Sequence, residues 1–428
     1  LGAGLLSANT VYSVIGTFSY GAARFFMFVV LAKYLTEDIV GQFSLAWAIV
    51  GPLAFLLHME LRLVQVTDTR NIIKPGFCLT VRYLSNILLL IILLGLSLVQ
   101  FTRWGWEKNA VLLLVGVVRI VESWSEIYLA ILQKYEQMKY VAISQMVKII
   151  LITAWTILVL HLCGSIFWVL AGWAGWILIV QFFYDRPQAQ KRENVRLIWD
   201  FSQIRNLVAW AFPLGIFITL CSLNEGVGRY FIAYYLGDSE VAYFSAMALL
   251  VGGLAIVQNG INQAVLPRLS RYFAGDLPGF CRLLMKLIAL SWLGMAVVIL
   301  IVWRHGPFLI RLMYQPEYAD YLYSPLFTGP SIFLLVMIGG FFLLTAMILN
   351  VSVIACRHFK SVLLAVTLAV LANIASCWFL IGRLGLPGAA WAGLLSSAVM
   401  AVTIAAIQLG ILRKAHRNRQ NLQHPTSK

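Results

Sequence analysis

The chain has 428 residues, 61% of them hydrophobic and 11% charged, and a formal net charge of +15. Soluble globular domains carry about 25% charged residues; a chain this poor in them has too little polar surface to face water, which excludes a soluble enzyme, a disordered chain and a disulfide scaffold. The six cysteines (78, 163, 221, 281, 356 and 377) lie mostly in apolar stretches and imply no disulfide framework.

A bilayer core about 30 Å thick needs roughly 20 apolar residues per helix. Twelve stretches qualify: 6–32, 40–59, 83–101, 110–132, 141–162, 164–184, 206–235, 241–266, 283–303, 326–351, 361–381 and 388–412. The first is expected to be a membrane helix and not a cleaved signal peptide, because its apolar run is too long, it has no basic leading segment, and it contains Arg24. Lys and Arg number 21 in the loops after even-numbered spans plus the C-terminal tail, against six in the loops after odd-numbered spans. The positive-inside rule then places both termini in the cytoplasm. The net charge follows topology, and no nucleic-acid partner is expected. Basic inner loops attract anionic membrane lipids. The inner segment 186–205 mixes Lys191, Arg192, Arg196 and Arg205 with Leu197, Ile198, Trp199, Phe201 and Ile204, and reads either as an amphipathic linker on the membrane surface or as a solvated loop helix.

Polar residues inside the spans fall in stripes. A charge at a helix centre costs about 2.5–3.5 kcal/mol on insertion scales and is tolerated where it faces protein or a water-filled cavity. Span one carries Asn9, Ser13, Thr17, Tyr20 and Arg24 on one helical face. Arg24 has no acid one turn away, and a planar, permanently charged, bidentate guanidinium suits phosphate. Arg24 therefore heads the candidate substrate-binding residues, with Tyr20 as a surface for sugar stacking and Asn9 on the same stripe. Span four carries Arg119, Glu122, Glu126 and Gln133, span five Ser144, Gln145 and Lys148, and span seven Ser222, Glu225 and Arg229, with Pro213 able to kink it. Span eight ends in Gln258, Asn259, Asn262 and Gln263.

Two readings of these charges stand side by side. In one, Arg119 and Arg229 bind substrate in a hydrated cavity between two lobes, and Glu122, Glu126 and Glu225 couple an ion. In the other, Arg119 with Glu122 and Glu225 with Arg229 are internal ion pairs at i,i+3 and i,i+4 spacing. Lys148 is expected to pair with the acids of span four. There is no Gly-rich phosphate loop, no His-Glu-x-x-His motif and no carboxylate-rich cluster, so no metal or cofactor is expected.

An internal repeat organises the chain. Residues 34–44 (YLTEDIVGQFS) match residues 235–245 (YLGDSEVAYFS), each the short turn between an odd and an even span, and Ala171-Gly172-Trp173-Ala174-Gly175 is echoed by Ala389-Ala390-Trp391-Ala392-Gly393. Six spans per half is an even number, so both halves run in the same orientation. The expected fold is all-α integral membrane, with about twelve transmembrane helices in two six-helix lobes related by a pseudo-two-fold axis along the membrane normal. The N-lobe takes 1–185, a cytoplasmic linker 186–205, the C-lobe 206–412 and a basic cytoplasmic tail 413–428.

Three stretches carry a family resemblance: Leu61-Arg62-Leu63-Val64-Gln65-Val66-Thr67-Asp68-Thr69-Arg70-Asn71 after span two, Pro316-Glu317-Tyr318-Ala319-Asp320-Tyr321 before span ten, and Gly388-Ala389-Ala390-Trp391-Ala392-Gly393 opening span twelve. Together with twelve spans in two repeats, they resemble the polysaccharide-transport (O-antigen flippase-type) family of the multidrug/oligosaccharidyl-lipid/polysaccharide exporter superfamily. The resemblance spans nearly the whole chain, and the first stretch is its most specific part. It departs at Ile72-Ile73-Lys74-Pro75-Gly76, where an acidic and aromatic run would be expected.

The resemblance implies a transporter and not an enzyme. It implies a flippase moving undecaprenyl-diphosphate-linked oligosaccharide repeat units across the bacterial plasma membrane by alternating access, for O-antigen, capsule or exopolysaccharide. The implied partners are that lipid-linked oligosaccharide, membrane lipids and a polysaccharide polymerase; the implied drive is membrane potential or a proton or sodium gradient. The alternatives are a drug/cation antiporter of the same superfamily, which would want unpaired cavity acids, and an integral-membrane glycan polymerase or ligase. For the enzyme the short loop 304–325, with Arg304, His305 and Arg311, is the candidate.

Overall fold

A computed structural model describes residues 21–23, 25–68, 73–193, 195–322, 332–356 and 358–423. Every regular element among them is helical. In chain order these are α1 (21–34, residue 24 aside), α2 (Glu37–His58), α3 (Leu61–Thr67), α4 (Pro75–Lys134), α5 (Met138–Leu162), α6 (Ile166–Val180) with a π turn (Gln181–Asp185), α7 (Arg186–Gln190), α8 (Phe201–Tyr235), α9 (Asp238–Gly275), α10 (Leu277–Met313), α11 (Pro316–Leu322), α12 (Ile332–Ala355), α13 (Phe359–Leu384) and α14 (Leu386–Gln423). Among the described residues, ten helices are long and apolar enough to cross a membrane, which makes the chain a multi-pass membrane protein.

One of the ten holds two crossings. α4 has 60 residues, about 90 Å at 1.5 Å per residue, roughly three bilayer cores. It breaks at Gly105 (φ 71, ψ 177), a backbone conformation that a side chain disfavours. The contacts Leu93 with Gly116, Asn86 with Ser123 and Arg82 with Glu126 fall symmetrically about residues 104–105, which is the register of an antiparallel helical hairpin. Its two arms are the third and fourth expected spans.

The first arm begins earlier than the sequence suggested. Pro75 opens α4 at its first position, where a missing N–H costs nothing. Arg82, counted above among the inner-loop cations, therefore lies within the helix and is fully buried. The linker also differs from a helical reading: after α7 the chain turns, and residues 195–200 are irregular up to α8. Thr80 pins this segment, accepting the Ile198 N–H (3.2 Å) and donating to the Ile198 carbonyl (2.9 Å).

The chain divides into two compact units, residues 1–229 with 238–245, and residues 230–237 with 246–428. In the first, α2 and α6 pack on α4, α5 packs on α6, and the short α3 lies on α4. Met59, Leu61, Val64, Cys78 and Val81 form a buried cluster closed by Leu207 and Ala211 of α8. In the second, α12 and α13 pack on α14, and α10 on α12. Polar ties hold it: Gln258 Nε2 donates to Asn262 Oδ1 (3.0 Å), Asn262 Nδ2 to the Met347 carbonyl (3.3 Å), and Ser352 Oγ to Gln408 Oε1 (3.0 Å).

Candidate functional site

Unit 1 collects charged and polar side chains in its interior. The second arm of α4 presents Arg119, Glu122, Ser123, Ser125 and Glu126, all buried or partly buried. Arg119 Nη1 lies 2.6 Å from Glu122 Oε2, one turn on, so the i,i+3 spacing read from the sequence is used as an ion pair. Two aromatic rings of α2 enclose the same guanidinium, Phe55 at 5.5 Å and Trp47 at 5.9 Å from its central carbon, a cation–π setting. Glu126 Oε2 pairs with Arg82 Nη2 across the hairpin at 3.4 Å.

Lys148 behaves differently from expectation. Its ion partner is Asp185 in the π turn after α6, not an acid of α4, with Nζ 2.5 Å from Asp185 Oδ2. The same ammonium donates to Ser125 Oγ at 2.5 Å, and Ser125 Oγ donates to Asp185 Oδ2 at 2.8 Å. The pairing crosses 37 residues of sequence, beyond any local rule.

Three further groups were missed by sequence reading. Arg82 reads in the sequence as a loop cation but is buried within α4. His58 at the end of α2 sets its Nε2 2.8 Å from Asn86 Oδ1, and the Asn86 amide donates to Ser123 Oγ at 2.9 Å. Glu60 sits in the break between α2 and α3, where Met59 and Glu60 both hold left-handed backbone (φ 50 and 48). Such non-glycine conformations cost of order 1–3 kcal/mol each and cluster at functional sites. The i,i+4 stripe Cys78, Arg82, Asn86 would have revealed the inner face of the first arm, had the helix start at Pro75 been recognised.

α8 carries the remaining candidates. Arg229 Nε donates to Ser245 Oγ (2.9 Å), and Nη1 to the backbone carbonyl of Glu225 (2.9 Å). Glu225 is exposed, ten residues before the helix ends at Tyr235, or about 15 Å along the axis. A carboxylate exposed at that depth does not face hydrocarbon; it requires water or a polar partner. Asn9, Tyr20 and Arg24 lie outside the described residues.

At one end of unit 1 the two copies of the repeat touch. Ser239 Oγ donates to Asp38 Oδ1 at 2.5 Å, and Lys108 Nζ lies 2.5 Å from Asp238 Oδ1. Gly41 of α2 packs against the backbone carbonyl of Asp238 so closely that a Cβ would overlap it.

Residues 6–273 match the family model described as "Polysaccharide biosynthesis protein". The capsular polysaccharide biosynthesis protein CapF of Staphylococcus aureus is 23% identical over 364 residues, covering 82% of this chain and 86% of that protein. Among solved structures, the lipid II flippase MurJ in an inward closed conformation superposes with a TM-score of 0.73 at 14% identity, over 95% of this chain and 90% of that one. An inward-facing multidrug resistance MATE family transporter of the MOP superfamily gives 0.70 at 12% identity, over 96% of both chains. These likenesses match the twelve-helix, two-lobe architecture read from the sequence. The chain belongs to the polysaccharide biosynthesis protein family, with the fold of the MOP-superfamily transporters.

Proposed function

We propose that the chain is a flippase for undecaprenyl-diphosphate-linked oligosaccharide repeat units, working by alternating access in a bacterial plasma membrane with both termini in the cytoplasm. The observation that carries this reading, beyond family membership, is the exposed acid Glu225, ten residues inside the end of α8. A mid-span acid with accessible surface supports a hydrated path through the protein, which a glycan and a pyrophosphate need and a lipid-filled groove would not supply. In this orientation the Asp38–Ser239 contact lies on the outer side of the membrane.

Arg24, Tyr20 and Asn9 are proposed to meet the substrate first, Arg24 at the pyrophosphate. Arg229 belongs with them through its place one turn from Glu225. Arg119, Glu122 and Glu126 are engaged in ion pairs, so they bind substrate or carry protons only if those pairs open during the cycle. Membrane potential or a proton or sodium gradient is the proposed drive: outward movement of one negative charge through 100 mV releases about 2.3 kcal/mol. The test is a deletion strain. Loss of this chain is expected to abolish surface polysaccharide and to accumulate lipid-linked repeat units, both reversed by the wild-type chain. Normal surface polysaccharide in the deletion strain, with no other exporter of the family present, would overturn the reading.

A further inference from the structure

The Lys148–Asp185–Ser125 cluster serves none of the roles above, and its chemistry points elsewhere. Asp185 is fully buried, and Lys148 and Ser125 are nearly so. The carboxylate is held in a π turn, an irregularity that recurs at functional positions in helices. Asp185 Oδ2 takes both the ammonium and the Ser125 hydroxyl, yet Asp185 Oδ1 is buried with no partner. One turn from Lys148 on α5, the buried Ser144 Oγ has no partner; one turn from Asp185, Gln181 Oε1 has none either. The interior of α4, α5 and the π turn thus offers oxygen from a carboxylate, two hydroxyls and an amide. Hard oxygens of this kind suit a small hard cation.

We propose that this cluster is a monovalent-cation site whose occupant is the chain's own ammonium: Lys148 stands where a sodium ion would otherwise sit. An ammonium tethered on a four-carbon stem supplies the same single charge without a binding equilibrium, so unit 1 stays assembled whatever the external sodium concentration. Sodium coupling of transport is then the work of other residues in the chain. Removing the ammonium while keeping the side-chain volume leaves Asp185 a buried anion beside the Ser125 hydroxyl, and Na⁺ takes the vacated place.

The experiment compares melting of the purified full chain in NaCl and in choline chloride at equal ionic strength. Wild type is expected to melt at the same temperature in both. Lys148→Met is expected to melt several degrees lower in choline and to recover saturably as Na⁺ replaces it. Lys148→Met with Asp185→Asn is expected to show no sodium response. A folded Lys148→Met protein that ignores Na⁺ overturns the proposal. So does a wild-type sodium response that Asp185→Asn abolishes, because the site would then hold metal alongside the lysine. If Lys148→Met folds in neither salt while the double variant folds, the proposal also falls, since sodium has then failed to replace the ammonium.

Discussion

Ser239 donates a hydrogen bond to Asp38 at 2.5 Å, and the two residues are 201 positions apart, the same offset that relates the two copies of the repeated turn. The two copies of the repeated turn therefore touch at equivalent positions. Cysteines at both positions should cross-link on oxidation or with a short bis-maleimide. Cross-linking is expected to stop export and reductant to restore it. Full export from the cross-linked protein would show that this end does not open. Gly41→Leu tests the same junction by bulk, since any side chain there meets the Asp238 backbone; loss of export with normal protein level is the expected result.

Arg82 and Glu126 make a second test. Breaking a buried pair by removing one partner costs about 3–5 kcal/mol because a charge is left uncompensated. The Glu126 side chain is 33% exposed, so Glu126→Gln should fall at the lower end of that range or below it. Arg82→Met combined with Glu126→Gln should recover most of the loss, in thermal melts. A Glu126→Gln protein that melts like wild type yet exports nothing would instead identify Glu126 as an ion-coupling group.

Arg24 follows from the sequence stripe. Arg24→Ala is expected to abolish surface polysaccharide at unchanged protein level, and Arg24→Lys to restore it in part, since the charge returns without the bidentate fork. Wild-type surface glycan in Arg24→Ala cells at matched expression would remove Arg24 from the mechanism.

Native cysteines report the orientation. Cys163 is exposed in the α5–α6 turn, on the outer side in the proposed topology. Burial pushes the Cys356 thiol up to about 11. A raised value keeps the thiol protonated, so near neutral pH its reactive thiolate fraction falls about 100-fold below that of a free cysteine. An impermeant maleimide should label Cys163 in intact cells and leave Cys356 unlabelled until the protein is denatured. Labelling of Cys163 only after permeabilisation would reverse the topology.

The legible part of this fold is the part set by short-range rules. Apolar run lengths located the spans, the hairpin at Gly105 followed from two spans with a short turn between them, and Arg119–Glu122 was visible as an i,i+3 pair. The repeated turn at 34–44 and 235–245 contained both residues of the Asp38–Ser239 contact. Positions at segment edges were illegible. Arg82 follows a polar, proline-containing stretch and reads as loop, and Asp185, the last residue of the N-lobe before the basic linker, lies just past span six and attracts no role. The sequence pairs Lys148 with the acids of span four, because its real partner depends on how α5 packs on α6, and on a π turn that no local pattern announces. Glu60 was missed because left-handed backbone at a non-glycine residue leaves no trace in composition.

Translocation in proteoliposomes is the most direct test of the flippase reading. The purified chain is reconstituted with undecaprenyl diphosphate carrying a labelled saccharide in one leaflet, and the fraction accessible to an external glycan-cleaving enzyme is followed over time. The expected result is movement between leaflets that depends on the wild-type chain and is lost in Arg24→Ala. Equal accessibility in protein-free and protein-containing vesicles, with the reconstituted chain shown to be folded, would contradict it.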